Sequence, residues 1–227
     1  MERRGLSQEG LKLIACAAML IDHIGAVFVP GYGMRIIGRI SFPIYCFLLA
    51  QGAEHTRNPR KYALRLALGA LLAEIPYDFL FYDGIDPAHQ SVMVTLLIGL
   101  VTLRVMKRWP GLALPAAVAG FALAEAAKAS YGGWGVALMV LFFLTARLPR
   151  RRLLETVGMG LIFLGMGSVR LPGSGIPIQL FGLGALIPIG CYSGEKATTH
   201  PVIRWGFYLF YPLHLLVLMM IRRLTGT

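Results

Sequence analysis

The sequence predicts an all-α, polytopic integral membrane bundle of about nine transmembrane helices, with a cytoplasmic N-terminus. Three observations carry that reading. Of 227 residues, 56% are hydrophobic and only 15% charged, with a mean hydropathy of +0.66, more apolar surface than a soluble domain of this length tolerates. Apolar runs recur from one end to the other without the period-2 alternation of a barrel. The basic residues, which give a formal net charge of +11, fall in short clusters between those runs. Such clusters orient membrane helices, whereas nucleic-acid binding calls for a basic stripe with interleaved aromatics, so no nucleic-acid partner is expected. The loops leave no room for a separate soluble domain, and residues 1–227 read as one membrane domain.

The first span runs over Leu11–Val29. Its lead, "MERRGLSQEGLKLIACAAML", has the outline of a secretory signal, and "LIAC" resembles a lipoprotein cleavage box ending at Cys16. Lys12 interrupts that short apolar lead, however, and the run continues well past Cys16, so a retained membrane helix is predicted. Ile36–Ala53, Tyr62–Phe81 and Val92–Met106 follow as spans. Leu112–Ala127 and Trp134–Ala146 make a hairpin around the Gly-rich "KASYGGWG". Leu153–Val169, Ile176–Cys191 and Trp205–Ile221 complete the set. The three cysteines, Cys16, Cys46 and Cys191, form no CxxC and give no disulfide framework.

Orientation follows from the basic clusters. Arg3, Arg4 and Lys12 precede the first span, and "HTRNPRKYALR" follows the second. Arg104, Lys107 and Arg108 follow the fourth, and "RLPRRR" the sixth. All share one side if the N-terminus is cytoplasmic. The other side receives the acidic "YDGIDPAH" and also Arg222 and Arg223, which break the positive-inside rule.

A charge at the centre of a membrane helix costs about 2.5–3.5 kcal/mol on insertion scales, so it needs a partner or a function. Asp22 and His23 stand side by side in the first span. Asp22 shares a face with Ala15, Ala18 and Ala26, small residues that let another helix approach. Arg35 and Arg39, one helical turn apart in the second span, are the natural partners for the carboxylate. A structural Asp–Arg pair joining two helices accounts for these residues as well. His23 adds a group that accepts a proton near neutral pH. His214, in "WGFYLFYPLHLLVLMM", lies roughly 14 Å from its helix start, and His23 roughly 17 Å from Lys12, at 1.5 Å per residue. Both helices run in the same direction in this topology, so the histidines are expected at comparable depth. Pro212 is expected to loosen the helix before His214, and Tyr208 and Tyr211 add hydroxyls. The plain alternative for His214 is a histidine packed on an aromatic face. No HExxH, GxSxG or P-loop occurs, and His23, His214 and Asp22 show no metal-ligand spacing.

An ordered series of motifs resembles the TraX family over nearly the whole chain. It comprises "LKLIACAAMLIDHIG", "RIIGRISFPIYCFLLAQGAEHTRNPRKYALRL", "EIPYDFLF", "SVMVTLLIGL", "SYGGWGV" and "FYLFYPLHLLVL". "MLIDHIG" and "GRISFPI…GAEHTRNPRKYALRL" are its most specific parts, while "AEAAKASYGG" places Glu125 further from the Tyr–Gly turn than the family pattern implies. The resemblance implies a multi-spanning acyltransferase of the bacterial inner (cytoplasmic) membrane, related to N-acetylation of conjugative pilin. Its donor would be cytoplasmic acetyl-CoA, and its acceptor a protein or small molecule at the outer face.

With that resemblance, His23 is assigned as general base, oriented or charge-balanced by Asp22. Arg35 and Arg39 are assigned to hold Asp22 or stabilise the oxyanion. His214 completes the catalytic set. His55, Arg57, Lys61 and Arg65 are assigned to the donor's phosphates, with Lys61 and Arg65 on one face at i,i+4 spacing. An orientation signal that touches lipid headgroups explains the same charges. Two other functions fit the buried ionisable residues: a proton-coupled small-molecule carrier, which should show an internal repeat, and a non-catalytic pilus or envelope assembly protein.

Overall fold

A computed structural model describes residues 5–167, 169–195 and 201–226; the Arg3–Arg4 cluster lies outside them. The described residues form ten α-helices and two 3-10 segments, with no strand beyond isolated bridges. The helices are α1 (Gln8–Val27), α2 (Gly33–Gly38), α3 (Ser41–His55), α4 (Pro59–Phe81) and α5 (Val92–Arg108). After a 3-10 turn at Pro110–Leu112 come α6 (Ala113–Ala126), α7 (Gly132–Thr145) and α8 (Arg151–Gly165). A 3-10 stretch, Ile178–Ala185, runs into α9 (Leu186–Gly190), and α10 (Pro201–Thr225) follows.

Local chemistry sets several boundaries. Ser7 caps α1 by accepting from the Gly10 N–H at 3.1 Å, with Glu9 in the positive first turn. Asn58 accepts from the Lys61 N–H at 3.0 Å just before Pro59, whose missing N–H costs nothing at a helix start.

Two expected spans are more broken than the sequence suggests. Ile36–Ala53 is divided between α2 and α3 around Arg39 and Ile40. Pro43 has no N–H to bond the Arg39 carbonyl, so the helical ladder restarts at Ser41. Ile176–Cys191 is a 3-10 segment and a five-residue helix, because Gly182, Gly184 and Pro188 all disfavour a continuous α-helix. By contrast, α10 runs unbroken through Pro212, where loosening was expected.

Among the described residues, three helical stretches are long and apolar enough to cross a membrane: Gln8–Val27, Gly33–His55 and Trp205–Thr225. Shorter apolar stretches cover Pro110–Ala126, Gly132–Thr145 and Ile178–Gly190. α4 makes the solvent clear because it is built inside out. Leu64, Leu71, Leu72 and Ile75 are 56–71% exposed, while Asp78 is buried. Only a hydrocarbon surround favours that arrangement, and the chain is a membrane protein.

The interior is close-packed around Phe47, Leu100, Met139, Phe142 and Phe163. At one end of the bundle the Leu6 N–H donates to the Cys191 carbonyl at 2.8 Å and Arg104 to the Ala53 carbonyl at 3.1 Å. There Lys107 and Arg147 both pair with Glu54. At the other end the Asp86 N–H donates to Asp78 Oδ2 at 3.1 Å, and the Gln90 N–H to the Lys128 carbonyl at 3.1 Å. Arg222 Nη1 donates to the Leu80 carbonyl at 2.7 Å and lies 2.9 Å from Asp83 Oδ1. Arg223 sits 4.9 Å over the Phe79 ring. The two arginines that break the positive-inside rule therefore sit among acidic and aromatic partners at the end of α4.

Candidate active site

α1 brings Asp22 and His23 to the bundle interior on different faces. Successive residues of an α-helix are turned by about 100°, so the two side chains meet different neighbours. Asp22 faces α2: Arg35 Nη1 donates to Oδ2 at 2.9 Å, and Arg39 Nη2 donates to Oδ1. Arg35 also reaches the Asp22 carbonyl at 3.3 Å, and Arg39 Nε donates to the Arg35 carbonyl at 3.1 Å. Gly38 permits the contact, since a Cβ there would fall 2.2 Å from the Asp22 Cβ. Ala15 and Ala18, on the same side of α1, are buried, and Ser41 Oγ donates to the Ala15 carbonyl at 2.9 Å. Ala26 instead is exposed. Two guanidiniums against one carboxylate leave an excess positive charge in the site.

His23 faces α10. Its Nδ1 lies 2.7 Å from His214 Nε2, and His214 Nδ1 lies 2.7 Å from the Phe210 carbonyl. A carbonyl only accepts, so His214 Nδ1 carries the hydrogen and its Nε2 is the acceptor when the ring is neutral. His23 Nδ1–H then donates to it, which leaves His23 Nε2 unprotonated. The expectation that Asp22 orients His23 is corrected here, because the orienting partner is His214. Phe81 meets the His23 ring edge-on at 5.6 Å.

One cavity of about 1040 Å³ joins these groups to the basic end of the bundle. Lys12, His55, Arg57 and Arg65 line it at that end. Tyr45, Tyr208 and Tyr211 continue it, and Asp22, His23, Arg35 and Arg39 line its deeper part. Tyr77, Phe81, Tyr82, Ser130 and Tyr131 line the remainder. His214 stands behind His23 rather than in the wall.

Of the four residues assigned to the donor, Lys61 alone lies off the cavity and is exposed. Four residues advance a helix by about 6 Å, which sets Lys61 one turn nearer the helix start than Arg65. Arg65 is held between the rings of Tyr62 and Tyr208, at 6.0 and 5.4 Å. His55 Nδ1 is tied to the Gln51 carbonyl at 2.9 Å.

Tyr131 is a site residue that sequence reasoning missed. It stacks on Phe42 at 3.6 Å, yet "YGGWG" read only as a turn. Tyr45 was also passed over; its hydroxyl lies 3.0 Å from Cys16 Sγ. Glu74 and Glu125 serve their loops, accepting from Ser91 Oγ at 2.7 Å and from the Gly133 N–H at 2.7 Å. Outside the membrane-spanning segments, a hydrogen bond from His89 holds the Asp86 carboxyl below the usual carboxylate range.

The chain is 30% identical over 228 residues to a protein of Dichelobacter nodosus named probable fimbrial assembly protein FimC, serogroup H1, covering 92% of each. It is 54% identical over 93 residues to an uncharacterized protein, RP591, of Rickettsia prowazekii (strain Madrid E), which is 40% of this chain and 34% of that one. No solved structure matches the chain. A model of the family described as TraX protein matches residues 7–222, and the chain belongs to the TraX family.

Proposed function

We propose that the protein is a membrane acyltransferase that moves an acetyl (acyl) group from cytoplasmic acetyl-CoA to an amine or hydroxyl at the outer face. A pilin N-terminus or an envelope molecule is the acceptor, in keeping with the fimbrial assembly role in the name of the Dichelobacter nodosus relative. The observation that carries this reading is the single cavity linking Arg57 and Arg65 to His23, Arg35 and Arg39. It supplies cations for the donor's phosphates at one end and a base beside guanidiniums further in. The reading includes about nine crossings of the bacterial inner membrane, with the N-terminus in the cytoplasm.

For an amine acceptor, the nitrogen attacks the thioester carbonyl carbon and a new C–N bond forms. The proton lost from nitrogen passes to His23 Nε2. His214 holds the imidazole by accepting from Nδ1–H and stabilises the imidazolium that results. The negative charge on the carbonyl oxygen develops next to the excess positive charge of Arg35 and Arg39. The C–S bond breaks, and the departing thiolate takes the proton as a free thiol.

The test is thiol release from acetyl-CoA by purified protein in detergent, with and without a peptide amine. Amine-dependent release supports the transferase. No binding and no release favour the carrier or the assembly protein.

A further inference from the structure

The cavity has chemically opposite ends, and only the basic one is used by the donor in the reading above. We propose that the arm walled by Tyr77, Phe81 and Tyr82 is the acceptor's subsite, and that it admits the acceptor as a primary ammonium ion. This rests on the acyl-transfer reading and extends it to the second substrate.

Ring contacts run without a gap from the end of α4 to His23. Tyr82 meets Tyr77 at 5.9 Å, Tyr77 meets Phe81 at 5.3 Å, and Phe81 meets His23 at 5.6 Å. Tyr77, Phe81 and Tyr82 all line the cavity. Aromatic faces attract cations electrostatically and reject anions, which makes such a wall a guide for an ammonium group. The carboxylates beside this wall are already paired: Asp83, which follows Tyr82 directly, lies 2.9 Å from Arg222 Nη1, so the attraction for a cation comes from the rings themselves. Asp86 pairs with His89 at 2.8 Å, and the His89 ring in turn stacks on Tyr82 at 4.5 Å, which fixes the outermost ring of the wall. Behind them Asp78 is buried, and its Oδ1 has no hydrogen-bond partner among the described residues.

The basic end repels the same cation, so donor and acceptor sort themselves to opposite arms by charge. Near Arg35 and Arg39 the excess positive charge favours the uncharged amine over the ammonium. The ammonium gives its first proton to water in the aromatic arm. The second leaves during attack on the thioester and goes to His23 Nε2, so each proton has an acceptor.

Purified full-length protein in detergent, without acetyl-CoA, is titrated calorimetrically with benzylammonium and with benzyl alcohol, a neutral probe of nearly the same shape. Wild type should bind benzylammonium at least about fivefold tighter, within the two- to thirtyfold range that a ring–cation contact supplies. Tyr82→Leu should erase that preference, and Tyr82→Phe should keep it within about twofold, because the ring rather than the hydroxyl holds the cation. Tyr82 is 39% exposed at the end of α4, a place that tolerates substitution, and size-exclusion profiles verify each variant. Equal affinity of wild type for the two probes overturns the proposal, as does a preference that survives in Tyr82→Leu. Loss of acyl transfer with the preference intact removes the enzyme reading and leaves a cation subsite. Transfer without the preference removes the subsite alone.

Discussion

His23 Nδ1 and His214 Nε2 lie 2.7 Å apart, with the two rings within 5° of parallel. The Phe210 carbonyl behind His214 sets the direction of this chain. Its polarity puts the free lone pair on Nε2 of His23, a residue that lines the cavity.

His23→Ala is therefore expected to lower acyl transfer by about 10²–10⁴-fold, the usual contribution of a positioned base, while the protein still inserts and purifies normally. His214→Phe preserves a ring of similar size and should cost less. Rates measured with saturating acetyl-CoA test both, and full activity in His23→Ala removes that residue from the chemistry.

Asp22 neutralises part of a two-guanidinium site, which predicts a contrast between its replacements. Asp22→Leu leaves the buried Arg39 and half-buried Arg35 without a counter-charge and should cost about 3–5 kcal/mol. Asp22→Asn retains an acceptor oxygen for one of them and should be milder. Melting in detergent reads the difference, and equal melting of both variants contradicts the pairing as a source of stability.

The basic loop is expected to act through binding. Arg57→Ala and Arg65→Ala should raise KM for acetyl-CoA several-fold more than they lower kcat. Lys61→Ala should leave KM within about twofold, because Lys61 is off the cavity. If all three behave alike, loop charge rather than the cavity wall governs the effect.

Sidedness can be read by labelling. Arg60→Cys and Asp86→Cys should react from opposite faces of sealed vesicles, and Arg223→Cys should react from the same face as Asp86→Cys. Reaction of Arg60→Cys and Asp86→Cys from one face rules out cross-membrane transfer.

Much of this was legible in the sequence, for physical reasons. An aspartate amid apolar residues demands a cation, and the next ones along the chain, Arg35 and Arg39, supply it. Helical rise alone puts His23 and His214 at similar depth, but whether they touch depends on the rotation of α1 and α10, which no local spacing encodes. The same gap hid the inward turn of Tyr131, while Lys61 misses the cavity because it sits a turn nearer the helix start. The break at Ile40 was written in Pro43 yet masked by an apolar run that reads as continuous. Arg222 and Arg223 defied a rule about loops because their partners, Asp83 and Phe79, lie far back in the chain, just after and near the end of α4.

The contacts of the site differ greatly in separation along the chain. Asp22 finds Arg35 only 13 residues away, whereas His23 finds His214 at a separation of 191. During synthesis the carboxylate and its arginines can therefore join as soon as the first hairpin enters the bilayer. The imidazole pair must wait for nearly every intervening helix, with His23 meanwhile lacking its acceptor. The order of events builds the electrostatic half of the site first and its proton-accepting half last. A ribosome stalled before residue 214 thus leaves a membrane protein whose ion pair is set and whose base is not.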